Sequence, residues 1–208
     1  MGMHRSGTSF LARVLEKSGI FMGVVKDHNF EAMHFLSLNQ QILWANQGDW
    51  HQPVEPAAAT CPKLDSKTLY REHFKINGRL ASLKLGFKKP LWGWKDPRNT
   101  FTLPCWLQIF PKAKVIYLER DKKQVINSLL QRNGQAGEVR VKELQSAAFA
   151  EELTEKYRVK GRSYAYQLGA RFIALEYEKL TAADPASVSA LSKFCGRDVA
   201  PALKVLTR

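Results

Sequence analysis

The sequence predicts an α/β fold, a parallel central sheet flanked by helices. Two apolar runs carry this reading. Lys114-Val115-Ile116-Tyr117-Leu118 is apolar almost throughout, as expected of a strand covered on both faces, and Arg171-Phe172-Ile173-Ala174-Leu175-Glu176-Tyr177 repeats the pattern. Around them lie segments whose apolar residues recur at helical spacing, and strands alternating with helices imply parallel pairing. At 208 residues the chain suits one domain, 1–208, with a substantial core.

The first element follows a glycine-containing loop. Met1 to Ser9 runs into a helical segment in which Phe10, Leu11, Val14 and Leu15 share a face, and Ser18-Gly19 stops it. Phe35, Leu38, Ile42 and Leu43 predict a second helix from about Glu31 to Asn46. Pro53 to Pro62 reads as a loop. Residues from about Ser66 to Leu85 read as a basic amphipathic helix, weakened at Gly78. Leu91-Trp92-Gly93-Trp94 is expected as a short strand ending in Lys95-Asp96-Pro97-Arg98, and Pro104 to Phe110 as a short helix. Asp121 is placed to cap a helix from Lys122 to Gln131, and residues 134–137 form a loop. A long helix is expected from about Val141 to Gln167 with a break at Gly161. After the last strand, Asp184-Pro185 opens a helix to Phe194, and a short one follows from Pro201.

Composition narrows the partners. Hydrophobic content of 45% and charged content of 25% describe a soluble globular protein, and a net charge of +13 favours an anionic partner. Cys61, Cys105 and Cys195 are odd in number and lack CxxC spacing. That argues against a disulfide framework or a zinc site and suits a reducing, cytoplasmic setting. No apolar run reaches the length of a membrane span, and no metal-ligand cluster is evident.

The chemistry begins in the opening loop, Gly2-Met3-His4-Arg5-Ser6-Gly7-Thr8-Ser9. A glycine-containing loop feeding a helix leaves unpaired N–H groups at the positive end of the helix dipole, a setting for phosphate or sulfate. Gly2 and Gly7 are spaced as in the nucleotide-triphosphate loop, but Thr8 stands where that motif needs lysine, and the positive charge sits at Arg5. In phosphate-loop folds a buried strand leads into this loop. Here Met1 directly precedes it, so the first strand is apparently lacking and an upstream apolar extension of about 5–10 residues is expected.

The loop resembles the 5′-phosphosulfate loop of sulfotransferases that use 3′-phosphoadenosine 5′-phosphosulfate (PAPS), in the form found in bacterial and carbohydrate-modifying members. A second motif agrees. Val115 to Arg120, followed by Ser128, resembles the family's 3′-phosphate site, in which an arginine at a strand end and a serine eight residues on hold one phosphate. Lys95-Asp96-Pro97-Arg98 is similar to the corresponding segment of the bacterial and Golgi-type branches. By this resemblance Arg5, Ser6, Gly7, Thr8, Ser9, Arg120 and Ser128 bind the nucleotide. Lys95 and Arg5 stabilise the leaving group, and no metal is required.

The cytosolic branch's catalytic histidine does not carry over, because Pro97 holds its place. The base is sought after the first helix, where Asp27, His28, Glu31 and His34 lie within eight residues. Glu31 is preferred because Asn29-Phe30-Glu31 matches a bacterial Phe-Glu element. Asn39 also fits that helix's pattern. The resemblance thus implies sulfuryl transfer from PAPS to a hydroxyl, releasing adenosine 3′,5′-bisphosphate, with a carbohydrate or glycolipid as acceptor. Trp44, Trp50, Trp92 and Trp94 are candidates for sugar stacking or core packing. Two alternatives stay open. A small-molecule kinase lacks the loop lysine and magnesium carboxylates, and a nucleic-acid-binding module, motivated by the charge, lacks a recognisable reader.

Overall fold

The computed structural model describes residues 1–74, 90–135 and 140–207, and the predicted parallel pair lies at its centre. β1 (Val115–Glu119) runs beside β2 (Phe172–Glu176), with Val115 opposite Phe172 and Glu119 opposite Glu176. Alternation along β1 sends Ile116 and Leu118 to one face and Val115 and Tyr117 to the other. On the first face, Leu118 and Leu175 pack with Leu11, Ala12, Val14 and Leu15 of α1 (Thr8–Lys17). On the second, Val115 packs with Leu103, Tyr164 and Leu168. Both faces are covered, which is why both strands read as apolar runs.

The helices follow the predicted order. α2 spans Met33–Ala45 and α3 spans Ser66–Phe74. The remainder of the helix expected to reach Leu85, with its weak point at Gly78, lies outside the described residues. α4 spans Asn99–Ile109, α5 Lys122–Asn133 and α6 Ala147–Leu168. α7 (Tyr177–Thr181), α8 (Pro185–Cys195) and α9 (Ala200–Leu206) complete the chain. The caps behave as their chemistry requires: Asp121 accepts from Gln124 N at 2.9 Å, and Asp184 accepts from Ser187 N at 2.8 Å.

Several expectations need correction. α4 begins at Asn99 rather than Pro104, so the proline lies inside the helix. A proline there removes the N–H that would bond the Thr100 carbonyl, and the Tyr164 hydroxyl donates to that oxygen instead at 3.2 Å. α6 runs through Gly161 without a break, after a 3₁₀ turn at Lys142–Gln145. A Cβ at Gly161 would lie 2.3 Å from the Tyr117 ring, so the glycine marks the closest approach of helix to strand. Leu91–Trp94 forms only a single bridge, in which Phe21 N donates to Leu91 O and Gly93 N donates to Phe21 O, both at 2.9 Å.

The cysteine reading is also corrected. Cys61 and Cys105 form a disulfide, and Cys195 is the cysteine left over. An odd count is compatible with one bridge when the fold packs the 58–62 turn against α4. Disulfides persist in oxidising settings, so the argument for a reducing compartment loses its basis. Among the described residues no helix is long and apolar enough to cross a membrane.

Met1 sits at the edge of β1 opposite β2. Its amino group donates to Ile116 O at 2.7 Å, and Leu118 N donates to Met1 O at 3.0 Å. Those two bonds make Met1 a one-residue extension of the ladder, and they hang the opening loop from the sheet.

Candidate active site

The opening loop leaves β1's edge through a tight path. Gly2 has φ +152°, and a Cβ there would meet the Leu118 carbonyl at 2.5 Å. Gly7 precedes α1 in the left-handed region (φ +88°) and lies flat on the Tyr177 ring, where a Cβ would come within 2.1 Å. Arg5 also has a positive φ of 68°, an uncommon conformation for a side-chain-bearing residue. The loop's hydroxyls serve its shape: Ser6 Oγ donates to Met3 O at 2.7 Å, and Ser9 Oγ donates to Asn29 O at 2.6 Å. Thr8 is buried at the first helical position.

Arg5 reaches outward from this loop to α5. Its Nε donates to Ser128 Oγ at 2.8 Å, across 123 residues of sequence. Arg120, just past the end of β1, donates from Nη1 to the Arg5 carbonyl at 3.2 Å and from Nη2 to Gln124 Oε1 at 2.8 Å. Its guanidinium carbon stands 4.8 Å from the centre of the Tyr177 ring. Arg5, Arg120 and Ser128 therefore gather at one place, beside the first turn of α1. Tyr177 supports the cluster from below, through Gly7 on one side and Arg120 on the other.

A second, buried cluster lies behind the loop. Lys95 Nζ donates to Glu31 Oε1 at 3.0 Å, and Arg98 Nη1 donates to Glu31 Oε2 and to Asp96 Oδ1, both at 3.0 Å. Lys95 is 6% exposed, Glu31 4% and Asp96 fully buried. Burial pushes the Asp96 carboxyl up to about 6, against the opposing pull of the Arg98 guanidinium beside it. Asn39 is fully enclosed and binds this cluster to α4. Its amide donates to Asp96 Oδ2 at 2.8 Å and to Asn99 Oδ1 at 2.9 Å. Its carbonyl accepts from Thr102 Oγ1 at 2.6 Å and Trp106 Nε1 at 2.7 Å. All four of its hydrogen-bonding positions are used.

The predicted residues thus fall into two groups, Arg5 with Arg120 and Ser128, and Lys95 with Glu31. Of the other base candidates, Asp27 accepts the Glu31 N–H at 2.7 Å and positions it, and His28 lies against the Asn29 amide at 2.9 Å. His34 stacks edge-on against Phe35, with its Nε2 buried and without a partner among the described residues. Sequence reasoning underrated Asn39 and Arg98, whose roles depend on partners 57 to 67 residues away. It also missed His4, which is buried in contact with Trp50 and held well below the ordinary histidine range by burial and by Arg98. The tryptophans divide. Trp94 stacks on Phe35 at 4.0 Å and, with Trp92, belongs to the core, whereas Trp44 is 62% exposed.

The basic run on α6 is not an open anion patch. Lys156 pairs with Glu152, Arg158 with Glu155, Lys160 with Glu55 and Arg162 with Glu119. Among the described residues no group of three or more His, Cys, Asp or Glu could hold a metal ion.

The profile of the Sulfotransferase family matches residues 1–201. The chain belongs to the sulfotransferase family. Its architecture agrees: this sulfotransferase superposes on the solved "Sulfotransferase Domain from the Curacin Biosynthetic Pathway" with a TM-score of 0.57 and 19% identity, covering 97% of this chain and 74% of that one. At that identity the likeness shows the fold alone. No curated protein sequence matches this sulfotransferase.

Proposed function

We propose that residues 1–208 act as one domain that transfers a sulfuryl group from PAPS to an acceptor hydroxyl, releasing adenosine 3′,5′-bisphosphate. The observation that carries this reading is the Arg5–Ser128 hydrogen bond of 2.8 Å, which joins the opening loop to the second anion motif. Two guanidinium groups, a hydroxyl and the first-turn N–H groups of α1 suit a ligand carrying two separated anionic groups. The N–H groups and Arg5 would hold the 5′ end, and Arg120 with Ser128 the 3′-phosphate. The donor supplies the sulfuryl group and the leaving phosphate. The reading calls for no metal.

The buried cluster supplies the proton chemistry. In the resting arrangement Glu31 Oε1 is occupied by Lys95. As Lys95 turns to the charge developing on the leaving oxygen, it releases Glu31 Oε1 to take the acceptor's proton. Arg98 stays on Oε2 and fixes the carboxylate's orientation. The two roles are thereby linked through one contact. A carbohydrate or glycolipid is the acceptor class proposed, supported by Trp44 and Trp50 rather than by Trp92 and Trp94, which belong to the core cluster.

Calorimetry with adenosine 3′,5′-bisphosphate and adenosine 5′-phosphate tests the donor. At least tenfold tighter binding of the bisphosphate is expected, since each charge-assisted bond contributes about 1.5–3 kcal/mol. Arg120→Ala should erase the difference. Equal affinity of the unaltered protein for both nucleotides would remove the 3′-phosphate assignment.

A further inference from the structure

A cavity of about 1310 Å³ opens beside β1, larger than an ordinary small-molecule pocket. One wall is Lys114-Val115-Ile116, and the facing wall is Leu91-Trp92-Gly93-Trp94. Leu11 and Leu15 of α1 and Leu103 and Ile109 of α4 also line it. Met1 stands at its inner end.

The backbone of both walls is oriented for pairing. On β1, Ile116 C=O and Leu118 N–H bond Met1. Within a strand the N–H and C=O of one residue share an edge, and the next residue but one repeats it. The N–H of Ile116 and the C=O of Lys114 therefore point along the same edge, into the cavity. On the facing wall, Leu91 C=O and Gly93 N–H are turned to Phe21, so the N–H and C=O of Trp92 point the opposite way, toward β1. Two parallel edges, each aimed at the other across an apolar gap, are what the two neighbours of a central strand present.

We propose that this groove is a strand-binding site. Its occupant is an extended apolar peptide segment of about five or six residues, the usual strand length, lying parallel to β1 and leading into Met1. The segment's N–H and C=O groups would continue the Met1 ladder at Ile116 and Lys114 and complete a second ladder at Trp92. Its side chains would be apolar on both faces, because α1 covers one and α4 the other. Met1 fixes both the direction and the register, since it already occupies the position opposite Tyr117. The inference is independent of the donor assignment.

The test compares the chain as it stands with two forms extended before Met1, one by six Val/Ile residues and one by six Gly/Ser residues. Amide hydrogen exchange at Ile116 and Trp92 is read together with the melting temperature. The Val/Ile extension should slow exchange at both amides at least tenfold and raise the melting temperature, while the Gly/Ser extension should do neither. A free Val/Ile hexapeptide added to the unextended protein should protect the same two amides. Its alternately N-methylated form, equally apolar but unable to pair, should not. Equal behaviour of the two extensions, or of the plain and N-methylated peptides, overturns the proposal in favour of an inert cavity or an apolar small-molecule site. A dimer of the unextended chain that already protects Ile116 would make a second copy the occupant and equally overturn it.

Discussion

Lys95 and Glu31 meet at 3.0 Å inside the protein, so the residue assigned to the leaving group and the residue assigned to the acceptor occupy each other at rest. Neither can act without releasing the other. Lys95→Ala should lower turnover on the order of 100- to 1000-fold, as loss of one preorganised charge does, with nucleotide affinity changed less than threefold. Glu31→Gln should cost on the order of 100-fold or more. Because they share one contact, the double variant should lose much less than the product of the single losses. Steady-state kinetics with saturating donor measures this, and fully multiplicative losses would separate the two roles.

Gly7 and Tyr177 set the loop's position. Gly7→Ala places a methyl group 2.1 Å from the tyrosine ring at a backbone angle of +88°. The left-handed conformation alone costs about 1–2 kcal/mol. The variant should melt lower and bind adenosine 3′,5′-bisphosphate more weakly. Adding Tyr177→Leu should recover part of the stability, through relief of the clash, and none of the backbone cost. A Gly7→Ala protein with unchanged melting and affinity would show that the loop does not rest on Tyr177.

Asn39→Leu leaves the amide and carboxylate partners on Asp96, Asn99, Thr102 and Trp106 without their bonds. A buried polar group left unpaired costs about 1–3 kcal/mol, so denaturant unfolding should show a loss of at least about 3 kcal/mol. A loss below about 1 kcal/mol would mean that the network closes around the substitution.

Acid should destabilise the protein well above the carboxylate range. His73 donates to Gly93 O at 3.0 Å, and burial lowers its pKa to about 4 from an ordinary 6.5. Burial also holds His4 well below 6.5. Between pH 4 and 6.5 the unfolded chain takes up these protons and the native one does not, so stability rises with pH in that window. Asp96, raised to about 6, works in the opposite sense between 3.8 and 6 and cancels part of the slope. One net proton corresponds to about 1.4 kcal/mol per pH unit at most. Unfolding curves at pH 4.5 and 6.5 should differ in this direction, and His73→Phe should flatten the dependence. Greater stability at pH 4.5 would contradict the assignment.

What the sequence reveals depends on how far the deciding contact lies along the chain. Phe10, Leu11, Val14 and Leu15 announce α1 because helical periodicity is local, and Asp121 announces α5 because a cap acts three residues ahead. The apolar run at Val115 reveals a strand, since burial on both faces removes polar residues. Gly161 misleads for the converse reason. Its helix cost is local and visible, while the Tyr117 ring that demands it is not. Pro104 misleads likewise, because Tyr164 repairs the bond it deletes. In the site, Arg5, Lys95 and Arg120 stand out by motif. The hub at Asn39 does not, because an asparagine on a helix looks the same whether it faces water or four buried partners.

The Cys61–Cys105 bridge closes a loop whose ends are 44 residues apart. Glu31 and Asn39 precede that loop, and Arg120 and Ser128 follow it, while Lys95 and Arg98 belong to it. A single protease cut anywhere between the two cysteines therefore leaves one covalent molecule with every site residue still attached. Such a nicked protein would migrate as one band without reductant and as two with it. Its activity would then report whether the backbone between the cysteines is needed for turnover, or only for delivering Lys95 to Glu31.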